Sequence, residues 1–159
     1  MREAYYLYNA SIFMVKRVEH HHSSQCPLAC TLDIIGDHWT LLIIQRMMFM
    51  GYHEYKDFLT MKEGISSNIL SERLKRLENR GIVASASHPD SKRRKLYYLT
   101  RRGKDLIYVI IEIVRWAEKN LSELIHIPDE KRCFLDVPVE EVAKMVFQQL
   151  EVWEKEHLQ

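Results

Sequence analysis

The chain has 159 residues, of which 47% are apolar and only five are glycine and four proline. This composition excludes a disordered chain and a turn-rich β fold, and it predicts one compact helical domain with added terminal elements. The net charge of +1 hides an uneven distribution, because residues 62–104 carry twelve Lys and Arg against four acids, a local net charge of +8. A basic segment within an otherwise acidic chain predicts a polyanionic partner or, alternatively, a solvated charged surface.

No uncharged apolar stretch approaches the length of about 18 residues that a membrane span needs, and no secretion signal fits residues 1–25. The three cysteines are an odd number and do not suggest a disulfide framework. These features predict a cytoplasmic protein with reduced thiols and no membrane contact.

The first two predicted helices follow an N-terminal extension, residues 1–25, in which His20–His22 and the serines after it suggest a flexible joint. A short helix is expected to begin at Cys26-Pro27, with Cys26 at the N-cap, and to end at Gly36. A second helix follows Asp37, a plausible N-cap, and is apolar nearly all round, as a buried helix should be.

The segment GISSNILSERLKRLENRGIV, residues 64–83, has the signals of a complete helix after a short helical stretch around Tyr55. Ser66 or Ser67 is expected to cap it and Gly81 to end it. Apolar side chains share one face at the spacings i, i+4 and i+7: Leu70, Leu74 and Leu77. Polar side chains point the other way: Asn68, Glu72, Lys75 and Arg76.

A β-hairpin is predicted after Gly81, with its turn at Pro89-Asp90-Ser91 and the basic residues 92–95 in that turn. Thr100 is expected to cap one long helix over residues 101–125. Its apolar residues cover much of its circumference, which favours a partner-chain interface over an ordinary core helix. Residues 133–135 are expected to bridge to a last amphipathic helix that begins near Val137.

This order of elements predicts a mainly α fold with a small β-hairpin wing, a winged helix-turn-helix. The expected division is an N-terminal extension (1–25), a DNA-binding and dimerisation domain (26–125) and a C-terminal helical extension (126–159). The polar-faced helix would enter the major groove of double-stranded DNA, and the wing would contact the backbone. The candidate recognition residues are Ser66, Ser67, Asn68, Ser71, Arg73, Lys75 and Arg76, and the candidate wing residues are Lys92, Arg93, Arg94 and Lys95. Ser67, Asn68, Ser71 and Lys75 are the expected base contacts, and the arginines and wing cations are the expected backbone contacts.

Three stretches resemble the HxlR-type transcriptional regulators, which are relatives of the MarR-type repressors: CPLACTLDIIGDHWTLLIIQ, GISSNILSERLKRLENRGIV and LYYLTRRGKDL. The resemblance covers residues 26–120. It implies a homodimer that binds operator DNA, with the N-terminal segment and the helix after the wing forming the dimer contact. The chain departs from the family pattern at Lys56, Arg93 and Leu96.

Cys26 is a candidate redox sensor, because some members of the family that this chain resembles use the thiol before the proline in that way. A helix N-terminus also favours a thiolate. The alternative is an ordinary half-buried cysteine. Cys30 lies one helical turn further on, so a disulfide to the other subunit is expected rather than one within the chain.

Two other classes compete with a DNA-binding regulator. A metal-binding module would use the residues His20–His22, Cys26 and Cys30, although no Cys-x-x-Cys pair exists. A winged helix that binds protein is disfavoured by the concentrated positive charge. No phosphate loop, His-Glu-x-x-His or nucleophile elbow is present, so we expect neither an enzyme nor a cofactor. Whether the effector is a small molecule or an oxidant stays open.

Overall fold

A computed structural model describes residues 24–158, so the predicted joint at His20–His22 lies outside the described residues. The chain divides after Ile34 into two compact units, which are described separately. Within the described residues the helices and strands run in this order: α1 Pro27–Ile35, α2 Thr40–Met50, α3 Tyr55–Phe58, α4 Ser67–Asn79, β1 Val83–His88, β2 Ser91–Leu99, α5 Arg101–Lys104, α6 Ile107–Asn120, α7 Asp129–Asp136 and α8 Val139–His157. The predicted class, mainly α with a two-stranded antiparallel wing, is confirmed.

The predicted boundaries of α4 are confirmed by its caps. The Ser66 hydroxyl accepts a hydrogen bond from the backbone N–H of Ile69, which satisfies one free donor of the first turn. Gly81 follows the C-cap with a φ of 64°, the left-handed conformation that glycine adopts without steric cost. Helix α4 therefore spans the segment that the sequence marks with a serine start and a glycine stop.

The predicted helix over residues 101–125 is wrong in its length. Thr100 caps only the short helix α5, by accepting from the backbone N–H of Gly103, and α6 begins separately at Ile107 and ends at Asn120. A Cβ at position 103 would lie 2.1 Å from the carbonyl oxygen of Ile82, so the first turn needs glycine there. Glycine weakens a helix by about 1 kcal/mol relative to alanine, and Gly103 lies next to the end of α5, where the helix is interrupted.

The expectation that residues 133–135 form a non-helical bridge is also wrong, because they lie within α7. Pro128 is the N-cap of that helix, and its carbonyl accepts from the backbone N–H groups of Lys131 and Arg132. Proline lacks an N–H, which the first turn of a helix does not need. Pro128 therefore ends the preceding segment and also marks the start of α7.

The core of the second unit is built around α2, whose residues Ile43, Ile44, Met47 and Met48 are all buried. Helices α6 and α8 both pack against α2 and against each other. Helix α8 contributes the buried side chains of Val142, Ala143, Val146 and Leu150. The C-terminal helices therefore share one core with the winged helix-turn-helix.

Among residues 24–158, no single helix is long and apolar enough to span a membrane. Helices α1 and α2 reach that threshold only when they are counted together, by length and composition alone. Five residues of α2 are buried in the core, which accounts for its apolar composition.

Candidate nucleic-acid interface

Helix α4 is anchored by three leucines and leaves its polar face exposed. Leu70, Leu74 and Leu77 are buried, as their spacing predicts. The exposed side chains on the remaining surface are Ser66, Ser67, Asn68, Ser71 and Lys75, whereas Arg76 is half-buried. Ile69 is also 38% exposed on this helix, beside Asn68. The exposed face therefore offers hydroxyl, amide, ammonium and apolar groups, the groups that read base edges in a major groove.

Tyr55 was not among the sequence-predicted site residues, yet it contacts two of them. Its hydroxyl donates to the carbonyl oxygen of Ser67 at 2.7 Å and lies 2.9 Å from the Ser71 hydroxyl. This phenol joins α3 to the first two turns of α4 and fixes the rotamer of Ser71. The sequence gives no signal for this contact, because Tyr55 reads equally well as an apolar packing residue.

Arg73, an expected contact of the DNA backbone, lies partly buried beside two carboxylates. Its side chain is only 19% exposed, and its Nε lies 3.1 Å from Oδ1 of Asp37, which precedes α2. The guanidinium also forms an ion pair with Glu72 at 3.1 Å. These ion pairs make Arg73 a link between α4 and the start of α2, and its expected contact with the DNA backbone stays a prediction.

Asp37 organises the turn before α2. Its Oδ1 accepts from the backbone N–H groups of Trp39 and Thr40, and its Oδ2 accepts from the Thr40 hydroxyl at 2.6 Å. Burial raises the pKa of Asp37, but the hydrogen bond from Thr40, that from Trp39 and the charge of Arg73 outweigh it, so the pKa lies below its ordinary value. Asp37 therefore caps the turn before α2, but the prediction that it is the N-cap of the helix is wrong, because α2 begins at Thr40 and its N-cap is Trp39.

The wing basics lie in a strand rather than in the turn where the sequence had placed them. The turn is at Pro89-Asp90, and β2 begins at Ser91 and includes residues 92–95. All four basic side chains are exposed: Lys92, Arg93, Arg94 and Lys95. Strands alternate their side chains between two faces, so the cations project from both sides of the hairpin near its tip.

Ion pairs divide the wing cations into two groups. Arg94 donates to Glu54 at 2.9 Å, and the Lys95 ammonium lies 3.8 Å from Glu78. Among the residues that the structure describes, no carboxylate partner is recorded for Lys92 or Arg93. Lys92 and Arg93 therefore have the uncompensated charge that a phosphate backbone would attract.

A cleft of about 400 Å³ separates α3 from the wing and is lined by Glu54, Lys56 and residues 93–95. Glu54 is held there by Lys56 at 2.9 Å and by Arg94. The hydrogen bond from Lys56, with the charges of Lys56 and Arg94, lowers the pKa of Glu54 against the smaller opposing effect of burial. Glu54 is thus the one acid among the described charged residues that line this cleft, and its charge is offset by Lys56 and Arg94.

The first unit contains the candidate sensor thiol. Cys26 is exposed and Cys30 is partly exposed, and within the described part of the chain neither forms a disulfide. The Cys26 carbonyl accepts from the Cys30 backbone N–H at 2.9 Å, which starts α1 directly after Cys26. Among residues 24–158, no three His, Cys, Asp or Glu side chains are close enough to hold a metal ion. The histidine triplet of the metal-binding alternative lies outside the described residues.

A leucine-anchored helix with a polar outer face, followed directly by a basic hairpin, defines the winged helix-turn-helix class of transcriptional regulators. The family model of the HxlR-like helix-turn-helix matches residues 34–124, which is more than half of the chain. The chain belongs to this family, as its sequence motifs suggested.

Similar proteins agree with this assignment. The HTH-type transcriptional regulator YvaP of Bacillus subtilis (strain 168) is 33% identical over 96 residues, which cover 60% of this chain and 88% of YvaP. The crystal structure of the transcription factor PA1607 has a TM-score of 0.56 and 31% identity, and the match covers 70% of this chain and 73% of that one. The redox regulator HypR in its oxidised form has a TM-score of 0.52 and 29% identity, with 60% of this chain and 97% of that one covered.

Proposed function

We propose that this transcriptional regulator acts in the cytoplasm as a homodimer that binds operator DNA through α4 and the wing. One observation carries the proposal: the leucines of α4 are buried while Ser67, Asn68 and Lys75 face solvent. In this arrangement α4 reads base edges, and Lys92 and Arg93 neutralise phosphates beside it. Residues 26–125 would perform both tasks, DNA binding and dimerisation.

The dimer contact is supported by an apolar stripe on α6 that the described residues of the same chain leave exposed. Val109, Ile113 and Trp116 lie at the spacings i, i+4 and i+7, and the last two are 47% and 59% exposed. Contiguous exposed apolar side chains of this size are typical of interfaces between chains, and a two-fold axis would pair the stripe with its own copy.

The DNA proposal is tested by fluorescence anisotropy with operator fragments selected from genomic DNA. Asn68→Ala should weaken binding to the best operator by about 1–3 kcal/mol and relax specificity at one base position. Asn79→Ala is the matched control, because Asn79 is exposed at the far end of the same helix. If Asn68→Ala preserved the ranking of operator variants, its role as a base contact would be refuted. A protein that ignored duplex DNA at low salt would refute the whole proposal.

Thiol oxidation is a second part of the proposal, supported by the exposure of Cys26 immediately before α1 and by the likeness to a redox regulator. A two-electron oxidant such as diamide would accept two electrons and two protons from Cys26 and a thiol of the partner subunit, so that one S–S bond replaces two S–H bonds. Diamide treatment should change DNA affinity, and Cys26→Ser should abolish that change while Cys133→Ser retains it. An unchanged response in Cys26→Ser would eliminate this sensor.

A small-molecule effector is the remaining part of the proposal. Its support is an apolar pocket within the second unit, which is the subject of the next subsection.

A further inference from the structure

Helices α2, α6, α7 and α8 enclose an apolar pocket of about 520 Å³, within the usual size of small-molecule sites. Its apolar lining includes Phe49, Ile110, Val114, Phe134 and Val146. The rings of Phe49 and Phe134 have centroids 6.1 Å apart and are tilted by 60°, so they form two walls that an aromatic ligand could contact. Helices α7 and α8 lie beyond residue 124, where the family match ends.

A positive charge stands at the mouth of this pocket. The Lys131 ammonium has Met50 Sδ, at 3.6 Å, as its recorded partner, and a thioether is a weak acceptor. Among the described residues, no carboxylate is recorded within ion-pair distance of Lys131. Its neighbour Arg132, by contrast, pairs with Glu118 at 2.8 Å. An apolar pocket with a cation at its mouth, for which the described residues supply no carboxylate partner, complements an amphipathic anion.

We propose that this pocket binds a small aromatic carboxylate, with its ring packed against the Phe49–Phe134 pair and its carboxylate at Lys131. Gln45 and Gln149 also line the pocket and supply amide groups for further polar contacts. The site extends the effector part of the proposed function, and its role in regulation rests on that function. The binding itself requires only the residues named here.

The pocket is distinct from the proposed dimer stripe. Ile110, Ile111 and Val114 line the pocket on the inner side of α6, whereas Ile113 and Trp116 face solvent on the same helix. A short chain of contacts also leads from the pocket to the helix-turn-helix. Oε1 of Gln45 accepts from Arg46 at 2.7 Å, and Arg46 donates to Glu63, in the turn before α4, at 2.6 Å.

Isothermal titration calorimetry without DNA tests the site, with 2-naphthoate as the anionic probe and 2-naphthamide as its neutral counterpart. The full-length chain should bind naphthoate with one site per chain and at least roughly five-fold more tightly than naphthamide, because a charge-assisted contact adds to the same ring burial. Lys131→Gln should remove this preference while leaving naphthamide binding intact. Lys144→Gln is the matched control, because Lys144 is exposed on α8 and does not line the pocket.

A second variant, Val114→Trp, should fill the pocket and abolish the binding of both probes. The proposal is overturned if naphthoate shows no saturable binding at millimolar concentration, or if Lys131→Gln keeps the preference for the anion. It is also overturned if Val114→Trp dissociates the dimer and neither probe binds the unmodified chain, since the pocket would then hold a second copy of the chain. Because these titrations contain no DNA, each outcome can be interpreted even if the DNA-binding proposal fails.

Discussion

The imidazole of His53 and the indole of Trp153 lie parallel, with ring centroids 3.4 Å apart and an interplanar angle of 8°. His53 precedes α3, and Trp153 belongs to α8, one hundred residues later in the chain. The His53 Nδ1 donates to the carbonyl oxygen of Tyr97 in β2 at 2.9 Å, while the Tyr97 N–H donates to the His53 carbonyl at 2.7 Å. One side chain thus joins the wing strand to the C-terminal helix.

Removal of the Trp153 ring should destabilise the whole domain. We expect Trp153→Ala to lower the free energy of unfolding by about 2 kcal/mol, because a half-buried aromatic surface and its stack on His53 are lost. Trp153→Phe keeps an aromatic face and should cost less than about 1 kcal/mol. Urea denaturation followed by circular dichroism measures both. Equal losses of unfolding free energy in the two variants would show that an aromatic ring at this position does not stabilise the protein by stacking on His53.

Stability should also depend on pH through His53. Burial, the largest effect, lowers the pKa of His53 below its ordinary value of 6.5, although the Tyr97 carbonyl opposes this. The unfolded state then binds more protons than the folded state at pH values just below 6.5, so stability falls as the pH drops through 6.5 toward the lower folded-state pKa. Above 6.5 the contribution is complete.

Denaturant titrations between about pH 7.5 and pH 5 measure this dependence. His53→Gln should show a shallower decline than the unmodified chain, whereas the exposed control His126→Gln should retain it. A decline of the same steepness in His53→Gln would assign the pH dependence to other groups.

The link between Asp37 and Arg73 should appear as a coupling energy. Asp37→Asn and Arg73→Met each break the ion pair, so the double variant should lose less stability than the sum of the single losses. We expect a coupling of roughly 1–2 kcal/mol, because both side chains are largely shielded from solvent. A double-mutant cycle in urea measures it, and strict additivity would argue that the two groups do not interact.

The wing cations should contribute unequally to DNA binding. Replacing Lys92 and Arg93 together with alanine should weaken all DNA sequences alike and reduce the slope of log K against log salt by nearly two. The matched double change at Arg94 and Lys95 should reduce it less, since Glu54 and Glu78 already partly neutralise those cations. Anisotropy titrations at several salt concentrations measure both slopes. Identical slopes would contradict the division of the wing into paired and unpaired charges.

Gly103→Ala should be costly, because the new Cβ would lie 2.1 Å from the Ile82 carbonyl oxygen. We expect a loss of more than about 2 kcal/mol, since a backbone atom must move. Gly51→Ala is the control: Gly51 has a φ of 65° and open space around it, so only conformational strain of about 1 kcal/mol is expected. Thermal unfolding compares them, and a loss for Gly103→Ala no larger than that for Gly51→Ala would mean that the contact relaxes easily.

The helix that carries the proposed recognition face could be predicted because its signals are local. Leucine spacing, Ser66 and Gly81 all lie within the segment that they define. The same spacing also indicates the partial burial of Arg73, which lies about 60° around the helix from Leu70, next to the buried stripe. Its partner Asp37 is far away in sequence, so only the fold brings the two side chains together.

The remaining differences arise from contacts between distant segments. The four consecutive basic residues show no alternation of apolar and polar side chains, so the sequence predicts a turn there. A strand that is exposed on both faces needs no such alternation. Neither the Tyr55 contact with Ser71 nor the His53–Trp153 stack has a periodic signature. The pocket could not be predicted either, because it exists only where α7 and α8 meet α2 and α6.

Helix α8 covers α2 and α6 with the buried side chains of Val142, Ala143, Val146 and Leu150. A fragment of this protein that ends near residue 125 is expected to expose this apolar surface and to aggregate. Crystallisation and binding experiments should therefore retain the C-terminal helices.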